Sequence, residues 1–100
     1  MAASLSIAAQ LLMFRESAHL EVTISRSGNK YRVKVESRGE EICSSSWPLS
    51  SRQDAIDAIR KTFSQVADTA KEFGKVSSAW TQHSQNMLRA LETRDRVAAI

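Results

Sequence analysis

The sequence has few of the residues on which metal and redox sites are most often built. It contains one cysteine, Cys43, so an intrachain disulfide and a four-cysteine zinc site are both excluded. His83 has no acid or second histidine three or four residues away, and His19 near Glu16 and Glu21 does not form a metal pattern. We therefore predict no metal site and no cofactor.

Glycine is also scarce, which argues against further kinds of site. The three glycines are not clustered, so a phosphate-binding loop is absent from the sequence. No nucleophile elbow surrounds Cys43 or any serine, and we expect Cys43 to pack as a small strand residue. Asp57 and Asp68 stand at helical ion-pair spacings from Arg60, Lys61 and Lys71, and Asp54 lies on the same predicted helix. We expect no enzyme, and activity lost on changing Cys43 to serine would be needed to reverse that expectation.

Neither a long apolar run nor a block of one charge is present. The apolar stretch from Met1 to Phe14 is interrupted by Ser6 and Gln10 and lacks a basic start, which argues against a secretory signal or a membrane span. The net charge of +3 comes from basic residues interleaved with acidic ones. With 100 residues and 42% hydrophobic residues, the composition predicts a single globular domain, residues 1–100, in the cytoplasm.

The hydrophobic pattern predicts an α+β fold in three parts. Residues 3–16 carry apolar side chains at helical spacing, with the packed face formed by Leu5, Ala8, Ala9, Leu12 and Met13. Residues 19–46 alternate apolar and polar side chains around turns at Gly28 and Gly39, which predicts a three-stranded antiparallel meander. In residues 51–97 the apolar side chains again recur at helical spacing, which predicts a helical region as the third part.

The helical region 51–97 has one weak point, at Gly74. Glycine costs about 1 kcal/mol in a helix interior relative to alanine, so a bend or a break is expected there. We favour two segments, 51–73 and 76–97. Two N-cap residues are possible at the start of the helical region 51–97. They are Ser50, paired with Gln53, and Ser51, paired with Asp54, both at capping-box spacing.

Residues 30–60 resemble the repeat unit of the YegP-like family of small bacterial proteins. A strand and turn lead into a glycine–acid–apolar strand, and an aromatic then precedes a serine-led helix. The matching positions are Tyr31, Gly39, Glu40, Ile42, Ser45, Trp47, Ser50, Ala55 and Ile59. The family usually carries the unit twice and has asparagine where Arg38 stands. The resemblance implies a sheet-then-helix unit packed through the aromatic residue, and it implies no site.

The apolar stripe of the helical region continues past Gly74 as a thinner face. Large aromatic residues and methionine are favoured at protein interfaces, so this face suits a protein partner or a second copy of the chain. The predicted contact residues are Trp80, His83, Met87, Arg89 and Leu91. In the competing interpretation Trp80 folds back onto the sheet as an ordinary core residue.

A second candidate surface is the polar side of the sheet. Five cations lie on or beside the first two strands, where they could contact phosphates or an acidic partner: Arg26, Lys30, Arg32, Lys34 and Arg38. Glutamates on the same small sheet offset this charge, and no exposed aromatic platform accompanies it.

These patterns together favour a non-catalytic protein-binding module without a membrane or small-molecule substrate, and we expect a homodimer through the C-terminal helix. By analogy of size, it resembles phage or mobile-element inhibitors of host defence enzymes such as CRISPR effectors. The alternative is a homodimeric regulator that binds nucleic acid through the basic face of the strands.

Overall fold

A computed structural model describes the backbone of residues 6–47, 51–75, 78–94 and 96–98, and the side chains of 6–44, 51–75 and 78–94. The chain has the predicted α+β fold. Its elements, in order, are α1 Ile7–Arg15, a 3-10 turn Ser17–His19, β1 Leu20–Ser27, β2 Lys30–Ser37, β3 Glu40–Trp47, α2 Arg52–Glu72, α3 Ser78–Leu91 and β4 Arg96–Ala98.

The sheet is antiparallel, with strand order β3-β2-β1-β4. The predicted meander supplies β1 to β3, and Val22 lies opposite Val35 on the face that packs against the helices. Its second hairpin turns at Arg38 and Gly39, whose φ angles are +54° and +82°. Positive φ at both positions is typical of a two-residue type I′ turn, for which asparagine–glycine is the usual pair. Arg38 therefore occupies a backbone conformation that its side chain disfavours.

The prediction that the last helix reaches residue 97 is wrong. α3 ends at Leu91, and the N–H groups of Thr93 and Arg94 bond back to the Ala90 carbonyl at 3.1 and 2.9 Å. The chain then forms β4, which pairs with Glu21–Thr23 of β1. The unpaired edge of β1 offers backbone hydrogen bonds that outweigh the helical preference of this short segment.

The predicted interruption at Gly74 is a complete helix end. Gly74 has a φ of +72°, its N–H bonds to the Lys71 carbonyl at 3.0 Å, and the Lys75 N–H bonds to the Ala70 carbonyl at 2.8 Å. This pair of bonds is a Schellman motif, in which glycine takes the left-handed position without steric cost. α2 and α3 are therefore separate helices.

The other helix ends show which serines act as caps. The Ser51 hydroxyl accepts from the Asp54 N–H at 3.3 Å, so the second of the two predicted caps opens α2. α1 begins at Ile7 rather than at residue 3, because Ser6 has extended backbone and accepts from the Ala9 N–H at 3.1 Å. Ser50, the other predicted cap of α2, lies outside the described residues.

One hydrophobic core joins the three helices to one face of the sheet. The stripe of α2 is buried as predicted, at Ala55, Ile56, Ile59, Phe63, Val66 and Ala70. α1 packs differently from its prediction, because Met13 and Gln10 are buried while Ala8 is exposed. Burial of the Gln10 amide is compensated by the Thr69 hydroxyl, which donates to Gln10 Oε1 at 2.7 Å.

Candidate functional site

The predicted partner face of the C-terminal helix lies mostly inside the chain's own core. Trp80 is 2% exposed, and Met87 and Leu91 are fully buried. The Trp80 ring lies 5.4 Å from the Phe63 ring, edge to face, and 6.2 Å from the Phe14 ring. The prediction that these three residues form a free contact surface is therefore wrong. Tryptophan instead takes the core role of the competing interpretation, since it belongs to the buried core and packs against Phe14 of α1 and Phe63 of α2.

The other two residues predicted on that helix lie in different surroundings. Arg89 is exposed, and its Nη2 donates to Asn86 Oδ1 at 3.5 Å. His83 is half-buried, and its Nδ1 is buried without a hydrogen-bond partner among the described residues. Of the five predicted contact residues, only Arg89 therefore projects fully into solvent.

The five predicted basic residues of the sheet do not form one patch. Lys34 lies on the polar face next to Arg32, and its Nζ is 3.6 Å from Glu36 Oε1. Arg26 pairs with Tyr31 and so lies on the opposite face, where its Nε donates to the Gly28 carbonyl at 3.4 Å. The separation follows from strand geometry, because adjacent register positions alternate between the two faces.

The two remaining cations lie at opposite ends of β2. Lys30 begins the strand, whereas Arg38 lies in the turn beyond its other end, with its Nε 3.5 Å from Glu16 Oε2. Near that end, Glu36 lies between Glu21 and Glu41 in the register of the three strands. This row of carboxylates divides Arg38 from Arg32 and Lys34, so the polar face has an acidic end and a basic end.

An apolar groove along α1 is a surface that the predicted contact residues do not include. We define the groove by its lining residues: Ala8, Leu11, Leu12, Phe14, Arg15, Gly74 and Lys75. It is open to solvent, with a volume of about 820 Å³. Ile7 and Phe73, the two large apolar residues that are most exposed in the described part of the chain, are each 55% exposed and belong to the same two segments.

The groove exists because α1 is apolar on more than the side that it packs. Its sequence, IAAQLLMFR, has no charged residue before Arg15, and its buried side is occupied by Gln10 and Met13. A helix that is apolar all round is normally covered on all sides. The absence of a polar face between Ile7 and Phe14 is therefore the sequence signal that indicates this surface.

Cys43 is the strongest nucleophile candidate in the sequence, and its surroundings suppress its reactivity. The residue lies opposite Val35 on the core face of the sheet and is partly buried. Burial raises the pKa of the Cys43 thiol from 9.0 to about 11, and the negative charge of Glu41 adds to the increase. Because the thiolate is the reactive form, this environment is typical of a structural cysteine.

We predict that iodoacetamide alkylates Cys43 about a hundredfold more slowly in the folded protein than in urea at pH 8, in proportion to the smaller thiolate fraction. The alkylation rate of the folded protein should increase about tenfold per pH unit until the pH nears the raised pKa of about 11. Between pH 9.0 and about 11 the folded state keeps the Cys43 thiol proton while the unfolded state loses it, so the free energy of unfolding should fall over this range. Equal rates in folded and unfolded protein would contradict the assignment.

Within the described ranges, no group of three or more histidine, cysteine, aspartate or glutamate side chains is arranged to hold a metal ion. Among the helices of that same part of the chain, none combines the length and the apolar character needed to cross a membrane.

Comparisons of the chain with protein-family models, with curated proteins and with solved structures each found no match. The resemblance of residues 30–60 to the YegP-like unit therefore stays a prediction.

Proposed function

We propose that the chain is a small, non-catalytic protein-binding module that holds its partner in the groove along α1. The observation that carries this proposal is an open apolar groove of about 820 Å³, lined by the two segments to which the exposed Ile7 and Phe73 belong. An exposed apolar patch on a monomeric protein often marks an interaction site. The raised pKa of the Cys43 thiol supports a role without catalysis.

The proposal moves the contact surface from α3 to α1. Trp80, Met87 and Leu91 have no free surface to offer a partner, because the chain's own core already covers them. A homodimer through the C-terminal helix stays a prediction, and it would have to use exposed residues such as Arg89. The analogy with phage inhibitors of host defence enzymes, and a cytoplasmic location, also stay predictions; a single cysteine suits a reducing compartment.

Selection from a random peptide library tests the groove even though the partner is unidentified. We expect the selected peptides to bind the wild type and to lose about tenfold or more in affinity to Leu11→Glu, because a charge then lies in an apolar contact. Gln82→Glu is the matched control, since it adds the same charge on the exposed side of α3. Peptides that bind Leu11→Glu as tightly as the wild type would refute the groove as the binding surface.

A nucleic-acid-binding regulator is the second candidate, and one observation favours it. Arg32 is exposed at the basic end of the polar sheet face, next to Lys34. If this face contacts phosphates, affinity for a DNA or RNA duplex should fall steeply with salt and be lost in Arg32→Glu. No binding at low salt would remove this candidate.

A further inference from the structure

We propose that the partner presents an amphipathic α-helix whose apolar side is bordered by glutamate or aspartate. This inference rests on the proposed function and adds the chemistry of the partner to it. It depends on two features of the groove: the charge of its rim and the state of its backbone hydrogen bonds.

The rim of the groove is cationic. Arg15 and Lys75 line it. Neither of them forms an ion pair with another residue in the described parts of the chain. The nearby carboxylate of Glu16 is already occupied by Arg38 and by the Ser37 hydroxyl, each 3.5 Å away. Carboxylates on a partner would therefore meet cations that are not already paired within the described chain.

The described walls of the groove offer few free backbone groups to a strand. The interior of α1 uses its N–H and C=O groups in its own helical bonds, and the N–H groups of Gly74 and Lys75 are taken by the Schellman bonds. An extended segment gains its affinity from backbone bonds to a sheet edge, whereas a helix satisfies its own backbone and contributes only side chains. The groove therefore suits a helix.

A second copy of the chain fits this groove less well than an acidic helix does. Two grooves related by a two-fold axis would bring the same patch of both copies together. Arg15 and Lys75 of both copies would then lie in one interface, and the described residues of the groove lining include no carboxylate to neutralise them. Like charges in an interface weaken association.

Two synthetic helical peptides of about 18 residues, long enough to be helical alone, test the inference. Both carry the same leucines at i, i+3, i+4 and i+7, bordered by glutamate in one and by lysine in the other. We expect the glutamate peptide to bind the wild type about tenfold more tightly at low salt, since two or three exposed ion pairs contribute that much. The preference should shrink as salt is added.

Charge reversal in the protein supplies the matched control. Arg15→Glu with Lys75→Glu should reverse the preference, so that the lysine peptide binds more tightly. Arg60→Glu with Arg89→Glu changes the net charge equally at exposed positions of α2 and α3 outside the groove, and it should keep the preference for glutamate. Circular dichroism establishes that each variant is folded.

The outcomes separate the two proposals. If both peptides bind equally and Leu11→Glu abolishes both, the groove binds proteins but the acidic partner is refuted. If neither peptide binds, or if Leu11→Glu changes nothing, the proposed function fails as well. Binding to anionic phosphatidylserine vesicles that Leu11→Glu abolishes, together with no peptide binding, would assign the groove to a membrane surface and overturn both proposals.

Discussion

Replacing Trp80 with alanine is expected to lower the free energy of unfolding by about 3 to 5 kcal/mol. The indole is 2% exposed and contacts the rings of Phe14 and Phe63, so its removal leaves a large cavity where α1, α2 and α3 meet. A domain of this size is typically stable by only about 5 to 15 kcal/mol. The variant should therefore unfold at a much lower urea concentration, which a urea titration followed by circular dichroism measures.

Thr81→Ala is the control, because Thr81 is exposed and follows Trp80 on the same helix. We expect it to change stability by no more than about 0.5 kcal/mol. If Trp80 were instead a partner-contact residue, Trp80→Ala would leave stability almost unchanged, like Thr81→Ala. That result would restore the C-terminal helix as the contact surface.

Replacing Arg52 with alanine is expected to lower the free energy of unfolding by about 1.5 to 3 kcal/mol, the range for hydrogen bonds made by a charged group. Arg52 Nη1 donates to the Glu92 carbonyl at 3.3 Å, and Nη2 donates to the Arg94 carbonyl. These carbonyls follow the end of α3, where a cation is favourable to the helix dipole. Arg52 therefore joins the start of α2 to the segment that leads into β4.

The loss should have a local component that hydrogen exchange can detect. Without Arg52, the amides of β4 should exchange faster than those between β1 and β2. Arg60→Ala removes an exposed arginine from the same helix. It should change neither the free energy of unfolding nor the exchange rate of the β4 amides. Arg52→Lys should recover only part of the stability, because lysine lacks the planar group that reaches two carbonyls at once. Equal effects of Arg52→Ala and Arg60→Ala would contradict the assigned bonds.

The local features of the fold could be predicted because they depend on neighbouring residues. Alternation of apolar and polar residues predicts β1 to β3, and the capping spacing includes the Ser51–Asp54 pair that opens α2. Gly74 marks the end of α2, since no other residue takes a left-handed conformation as easily. In each case the pattern and its structural consequence lie within a few residues.

The features that could not be predicted depend on residues far apart in the chain. β4 has three residues and pairs with β1, so its own sequence carries almost no strand signal. Trp80 is more deeply buried than the apolar stripe of residues 51–97 predicts, because α1 supplies Phe14 and Met13 to the same core. The basic residues of the sheet are close in sequence, yet Arg26 lies on the opposite face from Arg32.

Amide chemical-shift mapping during titration with the glutamate-bordered peptide tests most directly where the binding surface lies. We predict that the largest shifts fall on residues 7–15 of α1 and on 71–75 at the end of α2. Largest shifts on the exposed side of α3, residues 78–93, or on the polar face of the sheet would contradict a groove along α1.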